Sequence, residues 1–355
     1  MGKTDHVLGQ KNRSSSLIGY LLVALAAVAW GTGGVYITKL NEVGVPVNLI
    51  SWVGHAFAII PMALYVLITL GPKGFKISAK GLAIAAFLGI LTKGIFKLAY
   101  DRAIVELGAS TSVIILYLSP VITVIISAIF LKEKITAKTA LALVVNLLGV
   151  VLVVSKGDLS SVVNDLSRIG LLLGLIAALL YSINTIVGKS AATDENPITT
   201  TFYILLFSAS TLTVVAQPWN YGAFFTNSDF LIWGMANALV TGVIGNILFY
   251  SGLSKDVKPS TVNVVASMEV VLANIVGVAL LGEYTNWIGI IGVGVVVTSI
   301  VIMNSSGRKS IGTEQLVAEG ELASGEVKQA AAVEGEIPVA VEVEVPVAVE
   351  VEVRK

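Results

Sequence analysis

Ten apolar stretches of about 20 residues each constrain this chain more than any other feature of its sequence. A helix rises about 1.5 Å per residue, so about 20 residues cross the roughly 30 Å hydrocarbon layer of a bilayer. With 55% hydrophobic and 13% charged residues, the chain is too apolar for a water-soluble core. It is therefore predicted to be an all-α integral membrane protein. The predicted spans are 17–38, 48–70, 81–102, 109–131, 137–155, 169–189, 198–217, 230–253, 260–281 and 286–304.

The distribution of Lys and Arg predicts the orientation of these spans. Short loops that stay in the cytoplasm are enriched in both residues. With the N-terminus inside, the cytoplasmic segments hold 14 Lys and Arg residues and the opposite loops hold 4. We therefore expect a multi-pass protein of the cell membrane with both termini in the cytoplasm.

An internal repeat appears at an offset of 150 residues, where 100–133 align without a gap against 250–283. The alignment pairs Tyr100 with Tyr250, Ser110 with Ser260, and Glu133 with Glu283. Equivalent positions are separated by five spans. Because five is odd, the second half must enter the membrane inverted relative to the first. Inverted repeats are typical of secondary transporters, whose binding sites lie near the membrane midplane between the halves.

The expected domain organisation follows from this repeat. A cytoplasmic N-terminus covers 1–16, the first five-helix half covers 17–155, a connecting loop covers 156–168, and the second half covers 169–304. The remaining segment, 305–355, is acidic and contains the octapeptide Pro-Val-Ala-Val-Glu-Val-Glu-Val twice. Low complexity and repeated prolines predict a disordered tail there.

Several short motifs resemble those of a known family. They are Ala29–Gly33 with Lys39, Ser119-Pro120, Leu131–Lys134, Asn146–Val150, Met268-Glu269, Leu281–Glu283 and Gly289–Gly294. Together they resemble the EamA domain of the drug/metabolite transporters over residues 17–304. The resemblance implies two EamA-like five-helix halves and a carrier of small organic solutes, often amino acids or related metabolites. Two positions depart from the family pattern: Val270 replaces a frequent proline, and His55 lies where a basic residue of the second helix is common.

Two charged residues within the spans are the leading candidates for substrate binding or coupling. Glu269 lies near the centre of its span, where an acid costs about 2.5 to 3.5 kcal/mol on insertion scales. Lys93 lies one helical turn deeper than Lys97, and both share a face with Asp101. Lys93 and Glu269 come from opposite halves. They suggest a site for a zwitterion, although a structural helix-to-helix salt bridge would also explain Glu269.

Other polar and aromatic residues have two readings each. Lys97 either joins the site or extends its ammonium to the headgroups. Tyr100 and Trp30 either line an aromatic pocket, with Tyr117 and Tyr181, or serve packing and interfacial anchoring. His55 is either a hydrogen-bonded interior residue or a proton carrier. Asn184 and Asn237 are further candidates, but buried amides commonly link helices through hydrogen bonds. Glu133 and Glu283 end corresponding helices and are expected to be structural.

The sequence argues against several other functions. Without cysteine, it has no thiol catalysis and no cysteine-ligated metal, and its two histidines form no cluster that predicts a metal site or a catalytic group. We therefore expect no enzyme activity, no catalytic residues and no cofactor. No basic block predicts nucleic acid binding. The expected partners are a small-molecule substrate and the lipid bilayer, and a homo-oligomer is compatible with the sequence. A channel, or less readily a membrane-embedded enzyme, remains the alternative.

Overall fold

The computed structural model describes residues 2–158, 160, 167–282 and 284–304. Within this part of the chain, ten helices are long and apolar enough to cross a membrane, as predicted. They are α1 (Ser15–Glu42), α2 (Val47–Leu70), α3 (Ala79–Leu107), α4 (Thr111–Phe130), α5 (Ala137–Ser155), α6 (Arg168–Asp194), α7 (Pro197–Ala216), α8 (Ser228–Leu253), α9 (Pro259–Leu281) and α10 (Trp287–Asn304). The predicted tail, 305–355, lies outside the described residues.

Helix boundaries follow local capping chemistry. The side chains of Ser78, Thr136 and Ser167 each accept a hydrogen bond from a backbone N–H in the first turn of the helix that follows. Such a cap satisfies one of the donors that a helix start leaves unpaired. The first helix differs from the prediction at its start, because helical backbone extends back to Gly2 rather than beginning at residue 17.

Two pairs of irregularities recur at the 150-residue offset and confirm the repeat. Helix α3 contains a π-helical segment at Leu88–Ile95, and α8 contains one at Ala238–Ile244. Helix α4 is interrupted at Tyr117–Leu118, and α9 is interrupted at Ser267. The two halves therefore share deviations from regular helix that composition alone would not reproduce.

The connection between α3 and α4 is helical, with no extended loop. The backbone is assigned as helix throughout Phe96–Leu116. Helix α3 nevertheless runs antiparallel to α6, whereas α4 runs parallel to α6. Leu107 lies against Gly170 at the start of α6, whereas Thr92 and Ser119 bond to residues 184 and 182, farther along α6. Helices α3 and α4 are therefore antiparallel to each other, as the predicted topology requires.

The loops that were predicted to share a side do lie together. At the lysine-rich end, Lys80 pairs with Asp194 (2.9 Å). There the Lys189 ammonium also donates to the backbone carbonyl of Lys255. At the opposite end, the Asn286 amide donates to the Lys156 carbonyl (2.7 Å). The lysine-rich end is thus the side of the bundle that holds Lys80, Lys189 and Lys255, and the opposite end is the side that holds Lys156 and Asn286.

Close helix crossings at glycines interlock the two halves. A Cβ on Gly252 of α8 would lie 2.8 Å from the carbonyl oxygen of Gly19 on α1. On α10, a Cβ on Gly292 would lie 2.5 Å from the backbone nitrogen of Val153 on α5. Small residues permit this approach between helices in a membrane. The outward surface is strongly apolar and includes Ile68 and Phe130, which are 81% and 74% exposed. Lipid is the solvent such a surface requires.

Candidate functional site

The two charged candidates lie at the middle of the bundle and come from opposite halves. Lys93 lies midway along α3, within its π-helical segment. Glu269 lies near the middle of α9, in the first turn after the interruption at Ser267. Both side chains are half-buried, and their charges interact. Such mid-membrane placement is typical of a substrate site between repeats.

Glu269 lies in the first turn after the interruption of α9, which hydrogen bonds support. The Asn146 amide of α5 donates to the Ser267 hydroxyl (2.6 Å) and to the Ser299 hydroxyl of α10 (3.0 Å). The Ser267 hydroxyl in turn donates to the Val264 carbonyl (2.5 Å). Because Glu269 begins the next helical segment, its carboxylate lies at the end of the helix that favours negative charge. Asn146 thereby supports the position of the acid.

The ring of Trp30 contacts the Lys93 ammonium. The Lys93 ammonium lies 5.0 Å from the centroid of the Trp30 ring, which is the geometry of a cation–π contact. The Trp30 indole N–H donates to the Thr241 carbonyl in the π-helical segment of α8 (3.1 Å). Its ring also contacts Phe249 at 5.0 Å. Trp30 is therefore fixed by two contacts from the second half while it touches Lys93 from the first.

Lys93 and Glu269 do not form a direct ion pair. Each of the four ion pairs within 4.0 Å among the described residues involves other side chains. Opposite charges in a membrane interior normally pair or face a cavity. Among the described residues, neither of these two charges has an ion-pair partner within 4.0 Å.

Three tyrosines lie near the acid. Tyr100, Tyr117 and Tyr181 come from α3, α4 and α6, and each is close enough to interact with the charge of Glu269. All three are half-buried. Phe96 stacks on Tyr100 with centroids 5.8 Å apart and contacts Tyr181 at 5.9 Å. Sequence reasoning did not single out Phe96, although its spacing of four residues from Tyr100 placed both on one face of the helix.

Lys97 belongs to a separate polar cluster. Its ammonium pairs with Asp101 (2.6 Å), whose other carboxylate oxygen accepts a hydrogen bond from Ser51 of α2. Lys97 therefore has an ion-pair partner within its own helix. His55 lies beside this cluster, with Nδ1 3.2 Å from the Ser51 carbonyl oxygen.

Asn184 and Asn237 make buried helix-to-helix contacts. The Asn184 carbonyl oxygen accepts hydrogen bonds from Thr92 (3.0 Å) and Tyr250 (2.8 Å), and so it links α6 to α3 and α8. The Asn237 carbonyl oxygen accepts one from Thr241 (2.7 Å), and its amide lies against Gly54 of α2. Their partner Thr92 precedes Lys93 in sequence, and their partner Thr241 accepts the hydrogen bond from Trp30.

One of the two helix-end acids, Glu133, links the two halves. Glu133, just beyond the end of α4, accepts a hydrogen bond from Ser260 in the first turn of α9 (2.5 Å). This contact joins corresponding helices of the two halves. Glu283 lies outside the described residues. Among the described side chains, no group of three or more His, Cys, Asp or Glu residues could hold a metal ion.

Comparison with known proteins identifies the chain. The sequence profile of the EamA-like transporter family matches residues 17–155 and 168–305. The chain belongs to the EamA-like transporter family. As an EamA-like transporter, it is a multi-pass membrane protein that moves a solute across a membrane. The resemblance read from the sequence motifs is thus confirmed.

Relatives agree with this assignment but name no substrate. An uncharacterized transporter of Clostridium kluyveri is 24% identical, with 82% of this chain and 94% of the relative covered. One from Archaeoglobus fulgidus is also 24% identical, with 80% and 95% covered. A solved crystal structure that is 15% identical superposes with a TM-score of 0.65 over 84% of this chain and 99% of that chain, which supports the fold.

Proposed function

We propose that this EamA-like transporter carries a small zwitterionic metabolite, an amino acid or a related solute, across the cell membrane by alternating access. The observation that supports this most directly is the pair Lys93 and Glu269. They lie at mid-membrane, come from opposite inverted halves, and are not joined by an ion pair.

Each end of a zwitterion has a matching group. A substrate carboxylate is attracted to the Lys93 ammonium, which Trp30 holds in place. A substrate ammonium is attracted to Glu269, and Tyr100, Tyr117 and Tyr181 lie near this acid, where aromatic rings can contribute to binding a cation. Because the two charges come from different halves, the substrate bridges the parts that move against each other. Binding therefore couples to the conformational change.

The proposal also includes the orientation, the energy source and the assembly of the protein. The excess of 14 over 4 basic residues supports a cell-membrane orientation with both termini in the cytoplasm. A transporter of this kind needs no catalytic group, and a gradient of substrate or coupling ion supplies the energy. Lys97, His55, Asn184 and Asn237 remain candidates for substrate binding or coupling. A homo-oligomeric assembly stays a prediction.

Counterflow in liposomes tests the proposal. The purified protein is reconstituted, the liposomes are preloaded with an unlabelled amino acid from a panel, and uptake of the same labelled compound is measured. A carrier accelerates labelled uptake when unlabelled substrate is inside, whereas a channel does not. Conversion of the compound to a product would instead indicate an enzyme.

Matched variants locate the activity in the proposed site. Lys93→Met and Glu269→Gln remove one charge each, and we expect each to reduce counterflow by about 10- to 100-fold. The control is Lys80→Met, which removes a lysine at the exposed Lys80–Asp194 pair, and we expect it to retain counterflow. Wild-type counterflow by both site variants, at equal protein content, would refute the site.

A further inference from the structure

His55 of α2 belongs to a polar cluster between Lys93 and the opposite end of the bundle. Helix α2 begins at that end and α3 ends there, and the two helices meet at Ser51 and Asp101. The Asp101 carboxylate accepts hydrogen bonds from Ser51 and from the Lys97 ammonium (2.6 Å). His55 Nδ1 lies 3.2 Å from the Ser51 carbonyl oxygen. The imidazole is thus joined to the cluster through the backbone of Ser51.

The contact with Ser51 fixes which nitrogen of His55 can take up a proton. A carbonyl oxygen accepts a hydrogen bond but cannot donate one, so Nδ1 carries a hydrogen in both protonation states. The position that gains or loses a proton is therefore Nε2. Within the described part of the chain, the only hydrogen bond of the imidazole is the one from Nδ1. The side chain is half-buried, so Nε2 is available to a proton.

Lys93 is the charge near His55 that a substrate can change. The charged groups close enough to act on the imidazole are Lys93, Lys97 and Asp101, all on α3. Lys97 and Asp101 pair with each other, so their effects on the imidazole oppose each other. Among the described residues, Lys93 has no ion-pair partner within 4.0 Å. A nearby positive charge disfavours a second proton on an imidazole, and here that charge is chiefly the one on Lys93.

The other helices that pack on this part of α2 bring uncharged contacts. Helix α7 meets α2 through the Thr213 hydroxyl, and α8 meets it through the Asn237 amide. The outer part of α1 packs there through Leu40, while Lys39 and Glu42 of that helix pair with each other. Within the described residues, the protonation of His55 therefore depends on the charges of α3.

We propose that His55 is the proton-coupling residue of this transporter and that it links proton uptake to the arrival of a substrate carboxylate at Lys93. This inference rests on the proposed binding of a zwitterion between Lys93 and Glu269. A carboxylate beside Lys93 offsets its positive charge, and Nε2 of the imidazole then binds a proton more readily. Because coupling is reciprocal, a protonated His55 strengthens binding of the carboxylate by the same factor. Substrate and proton therefore cross the membrane together.

The link between Lys93 and His55 can be measured without substrate, because the chain has only two histidines. The protein is labelled with isotope-enriched histidine, and the ring-nitrogen signals are followed by NMR in detergent from about pH 5 to about pH 9. Lys93→Met imitates the loss of positive charge that a bound carboxylate causes. We expect the pH at which His55 is half-protonated to rise by about one unit, which is a tenfold gain in proton affinity. Lys93→Gln removes the same charge with a polar side chain and should give the same rise.

Two controls accompany this titration. His6 precedes the first predicted span, and its signal in the same spectra should titrate identically in all proteins. Lys80→Met removes a lysine from the exposed Lys80–Asp194 pair and should not move the His55 titration. The proton site is refuted if His55 titrates at the same pH in wild type and both Lys93 variants, if it does not titrate in any of them, or if Lys80→Met moves it equally.

A pH gradient tests the consequence for transport. With about pH 6 outside the liposomes and about pH 7.5 inside, uptake of the amino acid that gives the largest counterflow should be about tenfold faster than without a gradient. His55→Gln should reduce this stimulation to less than about twofold, whereas His6→Gln should retain it. Each stimulation is expressed relative to the counterflow of the same variant, so that a general loss of transport is not mistaken for a loss of coupling.

The two measurements separate this inference from the proposed function. If no amino acid gives counterflow but the Lys93 variants shift the titration of His55, the substrate assignment fails and the link between the two residues stands. If counterflow occurs but the titration does not shift, or the pH gradient does not stimulate uptake, His55 is not the coupling residue and the transport proposal stands.

Discussion

The two halves of the molecule share a backbone but differ in the charges they carry. The π-helical segments of α3 and α8 and the interruptions of α4 and α9 recur at the same register. At those positions, however, Lys93 corresponds to Val243, and Glu269 corresponds to Ser119. Each half thus contributes one charge that the other half lacks.

The shared irregularities belong to the backbone of both halves, whereas each charge belongs to one half alone. Under the proposed alternating access, the equivalent backbones would exchange conformations, and the unequal side chains would give a zwitterion one orientation. Variants at matched positions in the two halves therefore probe recognition and scaffold separately.

The largest effect is expected for Glu269→Gln against its counterpart Ser119→Ala. If Glu269 attracts a substrate ammonium as proposed, loss of the carboxylate should lower counterflow about 10- to 100-fold. Ser119→Ala sits at the same register without a charge, and counterflow should change less than about twofold. Equal losses in the two variants would show that activity depends on the residue at this position of each helix and not on its charge.

The next effect concerns the glycines of the two halves. Gly292→Ala places a methyl group 2.5 Å from the Val153 nitrogen, and we expect the free energy of unfolding to fall by about 3 kcal/mol. Gly34 of the first half has open space around it, so Gly34→Ala should be neutral or stabilise by up to about 1 kcal/mol. Thermal unfolding in detergent measures both, and a stable Gly292→Ala protein would contradict the close crossing of α5 and α10.

A smaller difference is expected between the side chains that support the two interruptions. Asn146→Ala leaves Ser267 and Ser299 without their donor, and we expect a loss of about 2 kcal/mol. Ser182 donates to the Ser119 carbonyl (2.9 Å) and also to its own helix, so Ser182→Ala should cost about 1 kcal/mol. Thermal shift gives the ranking. The reverse order would mean that the α4 interruption depends more on its support than the α9 interruption does.

The smallest effect is expected at a helix end. The Lys39–Glu42 pair of α1 is 2.8 Å long, but its side chains are 34% and 55% exposed. Exposed ion pairs contribute little because water and salt screen them. Lys39→Ala should therefore change the free energy of unfolding by less than about 0.5 kcal/mol in thermal unfolding at 150 mM salt. A larger loss would indicate that this lysine has a role outside the pair.

Much of the fold could be predicted because a membrane-spanning helix is recognisable from one continuous apolar segment of about 20 residues. The spans Ala137–Ser155 and Val47–Leu70 match the expected bounds within one residue. The first helix was less predictable, since nothing before Leu17 in the sequence shows that helical backbone begins at Gly2. Polar helix extensions carry no hydrophobic signal, so their lengths depend on local propensity alone.

The site was only partly predictable. Lys93 and Glu269 stood out because a charge within an apolar span is costly. The roles of Asn146 and Ser51 could not be inferred from the sequence. Ser51 contacts a residue 50 positions away, and Asn146 contacts one 121 positions away. Likewise, Lys97 was ambiguous until its pairing with Asp101 was visible.

The sequence alone determined the membrane class, the ten spans, the inverted repeat and the two opposing charges, because hydrophobicity, length and charge are properties of the residues themselves. The three-dimensional structure was needed to show that Lys93 contacts Trp30, that three tyrosines lie near Glu269, and that Asn146 bonds Ser267. These contacts depend on how helices rotate and cross. Small residues and buried polar groups set that geometry jointly across the two halves.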